Sequence, residues 1–203
     1  MDNRSRRLID AIGLQLLDAD EDMAAARLPS MRGVIVVVAE QARIRRIGMP
    51  LEPEFVDAPE RTLVALSRDF TLETRGEIPA LWQTFWGQDW QFEGAEEQAA
   101  YGVSYGVRPD GHFSYAAARH IEPTPSPLPD GACLVKLSAG RYAIFRNRGP
   151  VSDLPAMFDA IFEHWLPTSG QKQREGAVFE RYSYDDDASP ESMAYEIWVP
   201  IVR

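Results

Sequence analysis

The chain has 203 residues, 45% of them hydrophobic, and a formal charge of −10, which suits one domain with an extension. Residues 1–50 carry 8 Arg, no Lys and 7 acidic residues, which leaves 13 basic against 24 acidic residues in 51–203, a net −11. A domain so acidic lacks the basic face that displaces counterions from phosphates, so direct DNA binding by 51–203 is not expected. Cys133 is the only cysteine, which rules out an internal disulfide and a cysteine-built metal site. Its neighbours Leu134 and Val135 mark it as a buried strand thiol. The polar start, Asp2-Asn3-Arg4-Ser5-Arg6-Arg7, does not read as a secretory signal. The longest apolar run, 34–39, is too short to span a bilayer, so the expected location is the cytoplasm, with no membrane partner.

In chain order, 7–17 reads as an amphipathic helix, with Leu8, Ile9, Ile12, Leu16 and Leu17 near one face and Gly13 weakening it. The stretch 34–38 is strand-like, and 39–47 reads as helix. Pro50 and Pro53 mark a boundary, giving an N-terminal extension, 1–50, and a main domain, 51–203. A strand follows at 61–70. A helix at 77–86 has Pro79 in its first turn, where a missing N–H costs nothing. Ile78, Leu81, Trp82, Phe85 and Trp86 recur at the spacing of one helix face. Strands at 101–107 and 112–121 are joined by the turn Pro109-Asp110-Gly111. The Pro-rich 122–129 is a linker. A hairpin at 133–147 turns at Ser138-Ala139-Gly140. A second helix at 153–162 carries Leu154, Met157, Phe158, Ile161, Phe162 and Trp165 on one face. Strands at 177–184 and 193–202 flank the polar loop 185–191.

The segment from Glu77 to Trp86 repeats in type from Asp153 to Phe162: acidic, aliphatic, Pro, Ala, apolar, aromatic, polar, small, apolar, aromatic. The order strand, helix, strand, strand thus occurs twice. Two such units predict an α+β fold with pseudo-twofold symmetry, one antiparallel sheet carrying two main helices on one face.

Five phrases sit on this frame: Ile78-Pro79-Ala80-Leu81-Trp82; Tyr101-Gly102-Val103; Ala139-Gly140-Arg141-Tyr142-Ala143-Ile144-Phe145 with Gly149-Pro150; Phe179-Glu180-Arg181-Tyr182; and Glu196-Ile197-Trp198-Val199-Pro200-Ile201. In this order over 52–203 the chain resembles the GyrI-like family, the effector-binding domain attached to some AraC- and MerR-type regulators and also found alone. The resemblance implies a pocket in which a carboxylate and aromatic rings hold a hydrophobic ligand. Residues 1–50 depart from the AraC-type pattern. They are too few for two helix-turn-helix units and read as a remnant of a DNA-binding region or as an unrelated extension.

Strand alternation sorts the candidate residues. Val178, Glu180 and Tyr182 share one face of their strand. Ala194, Glu196, Trp198 and Pro200 share one face of theirs. A carboxylate withdrawn from water changes its pKa or takes a cationic partner, and aromatic faces add cation–π attraction. Glu180 with Tyr182 is the first-choice ligand pair and Glu196 with Trp198 the second. The plainer alternative pairs either Glu with an Arg on a solvated edge. Trp82, Phe85 and Trp86 could wall a pocket or be simple core. Tyr101 and Tyr105 face away from Gly102, Ser104 and Gly106, whose bare surface admits a helix or a ligand close to the backbone. Tyr142 follows the Gly140 turn and is expected inward with its hydroxyl free to donate. His112, His120 and His164 stand without metal-ligand spacing, and no nucleotide-binding or nucleophile-elbow motif is present, so no cofactor or metal is expected.

Three functions fit these residues. One is a receptor for an apolar or cationic small molecule, which sequesters it or signals its presence. Another is a hydrolase in which Glu180 acts as general base and Tyr182 as proton donor, the two candidate catalytic residues. The third is a protein-interaction role toward a topoisomerase or a regulator, using an acidic surface that mimics DNA charge.

Overall fold

Pro79 and Pro155 both stand in the first turn of a helix. Each helix is entered through a short 3₁₀ turn, Arg75–Glu77 and Val151–Asp153. A computed structural model describes residues 51–88, 90, 99–183, 188–189 and 191–202. The elements expected at 7–17, 34–38 and 39–47 lie outside the described residues, as do Asp185, Asp186, Asp187 and Pro190 of the polar loop expected at 185–191.

The elements run β1 (Glu54–Ala58), β2 (Arg61–Phe70), α1 (Ile78–Gly87), β3 (Ala99–Tyr105) and β4 (Phe113–His120). The second half repeats them as β5 (Cys133–Leu137), β6 (Gly140–Gly149), α2 (Leu154–Asp159), β7 (Val178–Ser183) and β8 (Met193–Pro200). Beyond α2 the helix continues as a π-helical stretch, Ala160–Trp165, and a last turn, Leu166–Thr168. Pro167 there has no N–H to give to an α-helical carbonyl. The expected α+β duplication is present, with one strand more than anticipated. The extra strand is β1, a five-residue segment between Pro53 and Pro59 that exposes Phe55.

All eight strands form one antiparallel sheet in the order β1-β6-β8-β7-β3-β4-β2-β5. Exchanging β1–β4 with β5–β8 reverses that order onto itself, which makes the β3–β7 pair the seam of a pseudo-twofold. Only Pro59 and Glu60 separate β1 from β2, yet six strand spacings separate them in the sheet. β5 and β6 stand equally far apart around a turn of two residues, Ser138 and Ala139. A flat sheet would put such strands about 29 Å apart at ~4.8 Å per spacing, whereas three chain steps reach at most about 11 Å. The sheet must therefore curl until its edges approach.

Curling gives the sheet two cores. Both helices pack on the outer face, where Leu81, Trp82, Phe85, Leu154, Met157 and Ile161 join Tyr195, Ile197 and Val199 in one cluster. The concave face holds a second cluster that includes Leu63, Tyr101, Val103, Leu137, Tyr142 and Phe179. Cys133, on the edge strand β5, is half-buried rather than buried, and its thiol donates to the Ala65 carbonyl at 3.4 Å. Among the described residues no helix is long and apolar enough to cross a membrane.

Arg174 pins the turn that brings the edges together. Its guanidinium lies 4.7 Å from the Tyr142 ring centroid and donates to Ser138 Oγ at 2.7 Å. Removing the side chain as Arg174→Ala is expected to cost about 2–4 kcal/mol, from the cation–π contact and the charge-assisted hydrogen bonds to Ser138 and to the Glu175 carbonyl. A urea denaturation series checks this, and Arg174→Lys should retain part of the loss because it keeps the charge but not the planar fork.

Candidate functional site

The middle of the β3–β7 seam sets Gly102 directly opposite Glu180. Neither side of that pairing is accidental. β7 alternates so that Val178, Glu180 and Tyr182 point toward the helices, while Phe179 belongs to the concave core. β4 alternates likewise, with Tyr115 toward the helices. Tyr115 and Glu180 thus approach from strands on either side of β3, and Gly102 leaves the space in which they meet. A β-carbon at position 102 would stand 1.9 Å from Glu180 Oε2 and 2.1 Å from the Tyr115 hydroxyl.

Over that glycine runs a chain of hydrogen bonds. Trp82 Nε1 donates to the Tyr115 hydroxyl at 3.1 Å, and that hydroxyl donates to Glu180 Oε2 at 2.8 Å. Tyr182, one step along the same strand face, also hydrogen-bonds to the carboxyl. Glu180 is 5% exposed, the one buried charged residue among those described. Burial pushes its carboxyl up to about 8, against the opposing pull of the two phenols. Burial, and then the charge of Glu180, push Tyr115 and Tyr182 well above the ordinary phenol range. At neutral pH this is a largely neutral carboxyl held by neutral phenols. Above it lies an aromatic row from α1: Trp82 meets Tyr182 edge-on at 5.6 Å, stacks on Trp86 at 6.1 Å and meets Phe85 edge-on at 5.9 Å. Arg119 lies 6.0 Å from the Trp86 ring.

The ten ligand-binding candidates divide between the two faces of the sheet. Glu180, Tyr182, Trp82, Phe85 and Trp86 come together on the helix side. Tyr101, Tyr105, Tyr142 and Trp198 lie on the concave side, where Glu196 also points by alternation with Trp198. The sheet therefore separates the ten into two places. Glu196 takes the edge pairing: Arg146 Nε donates to its Oε1 at 2.9 Å and Trp198 Nε1 to its Oε2 at 2.8 Å, and Arg146 also bridges to Glu54. Tyr142 is inward as expected, but its hydroxyl is engaged, donating to the Ser138 carbonyl at 2.6 Å. Tyr105 shares a 2.7 Å hydrogen bond with Ser67 Oγ. The open surface at Gly102 is filled by Tyr115 and Glu180 rather than by a helix. Tyr115, two strands from the acid, is the residue of this cluster that sequence reasoning missed; its only signal was the unmatched bare face at Gly102 on the strand between them. Among the described residues no cluster of His, Cys, Asp or Glu could hold a metal ion.

The GyrI-like small molecule binding domain model matches residues 51–202. The chain belongs to that family. Among curated relatives, the transcriptional regulator BrlR of Pseudomonas aeruginosa is 28% identical over 129 residues, 61% of this chain and 46% of that protein. A DNA gyrase inhibitor of Erwinia billingiae is 34% identical over 84 residues, 40% of this chain and 54% of that protein. The chain thus spans about half the length of the curated relatives it matches. Among solved structures, SAV2435 bound to tetraphenylphosphonium superposes with a TM-score of 0.60 at 18% identity, covering 74% of this chain and 94% of that one. A second, described as a bacterial transcription regulation protein from Staphylococcus aureus MU50, has a TM-score of 0.58 at 18% identity, covering 76% of this chain and all of that one. At that identity the likeness establishes the fold.

Two outcomes follow from the seam. Gly102→Ala is expected to destabilise by at least the ~1–3 kcal/mol of an overpacked core, read as a lowered denaturation midpoint. The folded protein holds the Glu180 proton up to about pH 8, whereas the carboxyl's ordinary value is 4.5. The stability this group contributes is therefore complete below 4.5 and is lost as pH rises through 8. Melting curves from pH 5 to 8.5 should show a decline in the wild type that Glu180→Gln does not share.

Proposed function

We propose that residues 51–202 receive a hydrophobic organic cation on the helix side of the seam, with Glu180 as its counter-charge and the α1 aromatics as its walls. The observation that carries this is a buried carboxyl whose described hydrogen-bond donors, Tyr115 and Tyr182, are neutral phenols. A carboxylate in that position is unfavourable until a cation arrives. The incoming charge replaces the proton, and Trp82, Trp86 and Tyr182 each add cation–π attraction of about 0.5–2 kcal/mol. The ligand reaches the carboxyl by displacing indole rings of α1.

The site's apolar surroundings choose the kind of cation. A compact ammonium loses strong hydration when it enters such a site, while a cation whose charge is spread beneath aromatic groups loses little and brings apolar area worth about 25 cal/mol per Å². SAV2435, which shares the fold, was solved with a cation of that kind. With regulators among its relatives, the domain would report occupancy to a partner or an attached segment.

Calorimetric titration with tetraphenylphosphonium tests the reading. Saturable binding without product formation is expected, which also separates a receptor from the hydrolase. Because the carboxyl must lose a proton, affinity should rise about tenfold per pH unit below pH 8 and level off above it. Glu180→Gln should weaken binding at least ~10-fold at pH 8.5 and abolish the pH dependence. Binding that is indifferent both to pH and to Glu180→Gln would remove the counter-charge and the proposal with it.

A further inference from the structure

The pseudo-twofold can be followed residue by residue on the helix side of the seam. It carries Gly102 onto Glu180, and their cross-strand neighbours correspond, Ala117 to Ile197. Further along β3 and β7, on the same face, it carries Ser104 onto Tyr182. The neighbours correspond again, since Ser104 lies opposite Tyr115 and Tyr182 lies opposite Tyr195. On the helices, Trp82 and Trp86 match Phe158 and Phe162 of the repeat. The two pairs share one geometry: both stack at 6.1 Å, with 24° and 16° between the ring planes.

At Ser104 the match fails in bulk. Tyr182 carries Trp82 edge-on at 5.6 Å, and both rings are 2% exposed. The twofold sets Phe158 toward Ser104 in the same relation. There both residues are only half-buried, so solvent reaches a floor that the phenol closes in the other half. The shortfall is one phenol ring, and it lies beside the acid. Ser104 follows Gly102 on that face, flanked by Tyr115 and Val178, and Tyr115 is the phenol that donates to Glu180 Oε2.

We infer that one aromatic group of the ligand occupies the place over Ser104, between Tyr115 and Val178 of the sheet and Phe158 of α2, so that this serine sets how bulky a cation the site takes. The inference rests on the receptor reading above and gives that receptor a second wall. Serine is too small to compete with the guest for this place. The Phe158 and Phe162 rings add apolar contact and cation–π attraction. A cation whose charge is shielded by phenyl groups supplies a ring of the missing size, which a small quaternary ammonium does not. α1 then borders the guest on one side and α2 on the other.

Tetraphenylphosphonium titrated into the full chain tests this by contact and by bulk. In the wild type, nuclear Overhauser contacts are expected between the phenyl protons and the Val178 methyl groups. Ser104→Tyr, which restores the twofold, should weaken binding at least about tenfold, and Ser104→Val by less. The residual binding should keep its rise with pH up to about 8, because Glu180 is untouched. Melting curves separate lost binding from lost fold. Where Ser104→Tyr does not fold, Phe158→Ala serves instead, with an expected loss of about threefold or more. Wild-type binding indifferent to pH and to Glu180→Gln is the failure of the receptor itself. Binding that keeps its pH dependence but shows no Val178 contact, or is unchanged in folded Ser104→Tyr or in Phe158→Ala, would overturn this inference alone.

Discussion

The absence of a side chain at Gly102 is the constraint on which the helix-side site depends. Tyr115 of β4 and Glu180 of β7 are separated by a strand, and side chains reaching over an ordinary β3 residue would collide with it. With 1.9 Å and 2.1 Å the clearances a β-carbon would have, no residue but glycine leaves room for the hydrogen bond. The bond in turn makes burial of the acid tolerable. An ionised carboxylate without compensation is costly in the interior. Two phenols and a raised affinity for its proton reduce that cost without cancelling it, which is why the group rests near neutrality instead of near its ordinary pKa.

The curl of the sheet follows from chain connectivity and explains why one face could not be distinguished from the other in advance. Alternation correctly placed Glu180 with Val178 and Tyr182, and Glu196 with Trp198. It could not say which set was core, because both faces of this sheet are covered. In β8 the outward Tyr195, Ile197 and Val199 pack under helices while Trp198 packs in the concavity, so an apolar residue on either face carries no direction. The helix period of α1 was legible for the opposite reason: one stripe of Leu81, Trp82, Phe85 and Trp86 is buried, while Ala80, Gln83, Thr84 and Gly87 are exposed. Tyr115 was not legible because its partner lies 65 positions away along the chain, and the meeting depends on β7 and β4 both flanking β3. That adjacency is a property of the sheet order, which no local pattern encodes. β1 escaped for want of length and of a continuous apolar face.

Consecutive residues serve opposite faces with opposite charge. Glu180 enters the helix side and Arg181 the concave side; Gly102 clears space on one side while Tyr101 presents a hydroxyl on the other. The causes that shift Glu180 are its burial and the phenols of Tyr115 and Tyr182. The guanidinium next in sequence does not figure among them. The pleat therefore does more than pack two cores: it keeps a dry acid apart from the guanidinium that follows it in sequence.

Symmetry gives this asymmetry its meaning. A twofold through the middle of the β3–β7 seam makes the two members of the central pair equivalent, so an exact repeat would place either two glycines or two glutamates there. Two glycines would leave no charge in the site. Two glutamates would face each other at cross-strand distance, and like carboxylates so close share a proton, with one strongly resisting ionisation. The pair found here, Gly102 opposite Glu180, supplies one carboxylate and the space for it to lie across the axis. One half of the duplicated chain thus gives the acid, and the other gives Gly102, Tyr115 and Trp82 to hold it. The proposed receptor therefore needs both halves, because neither could form this pair alone.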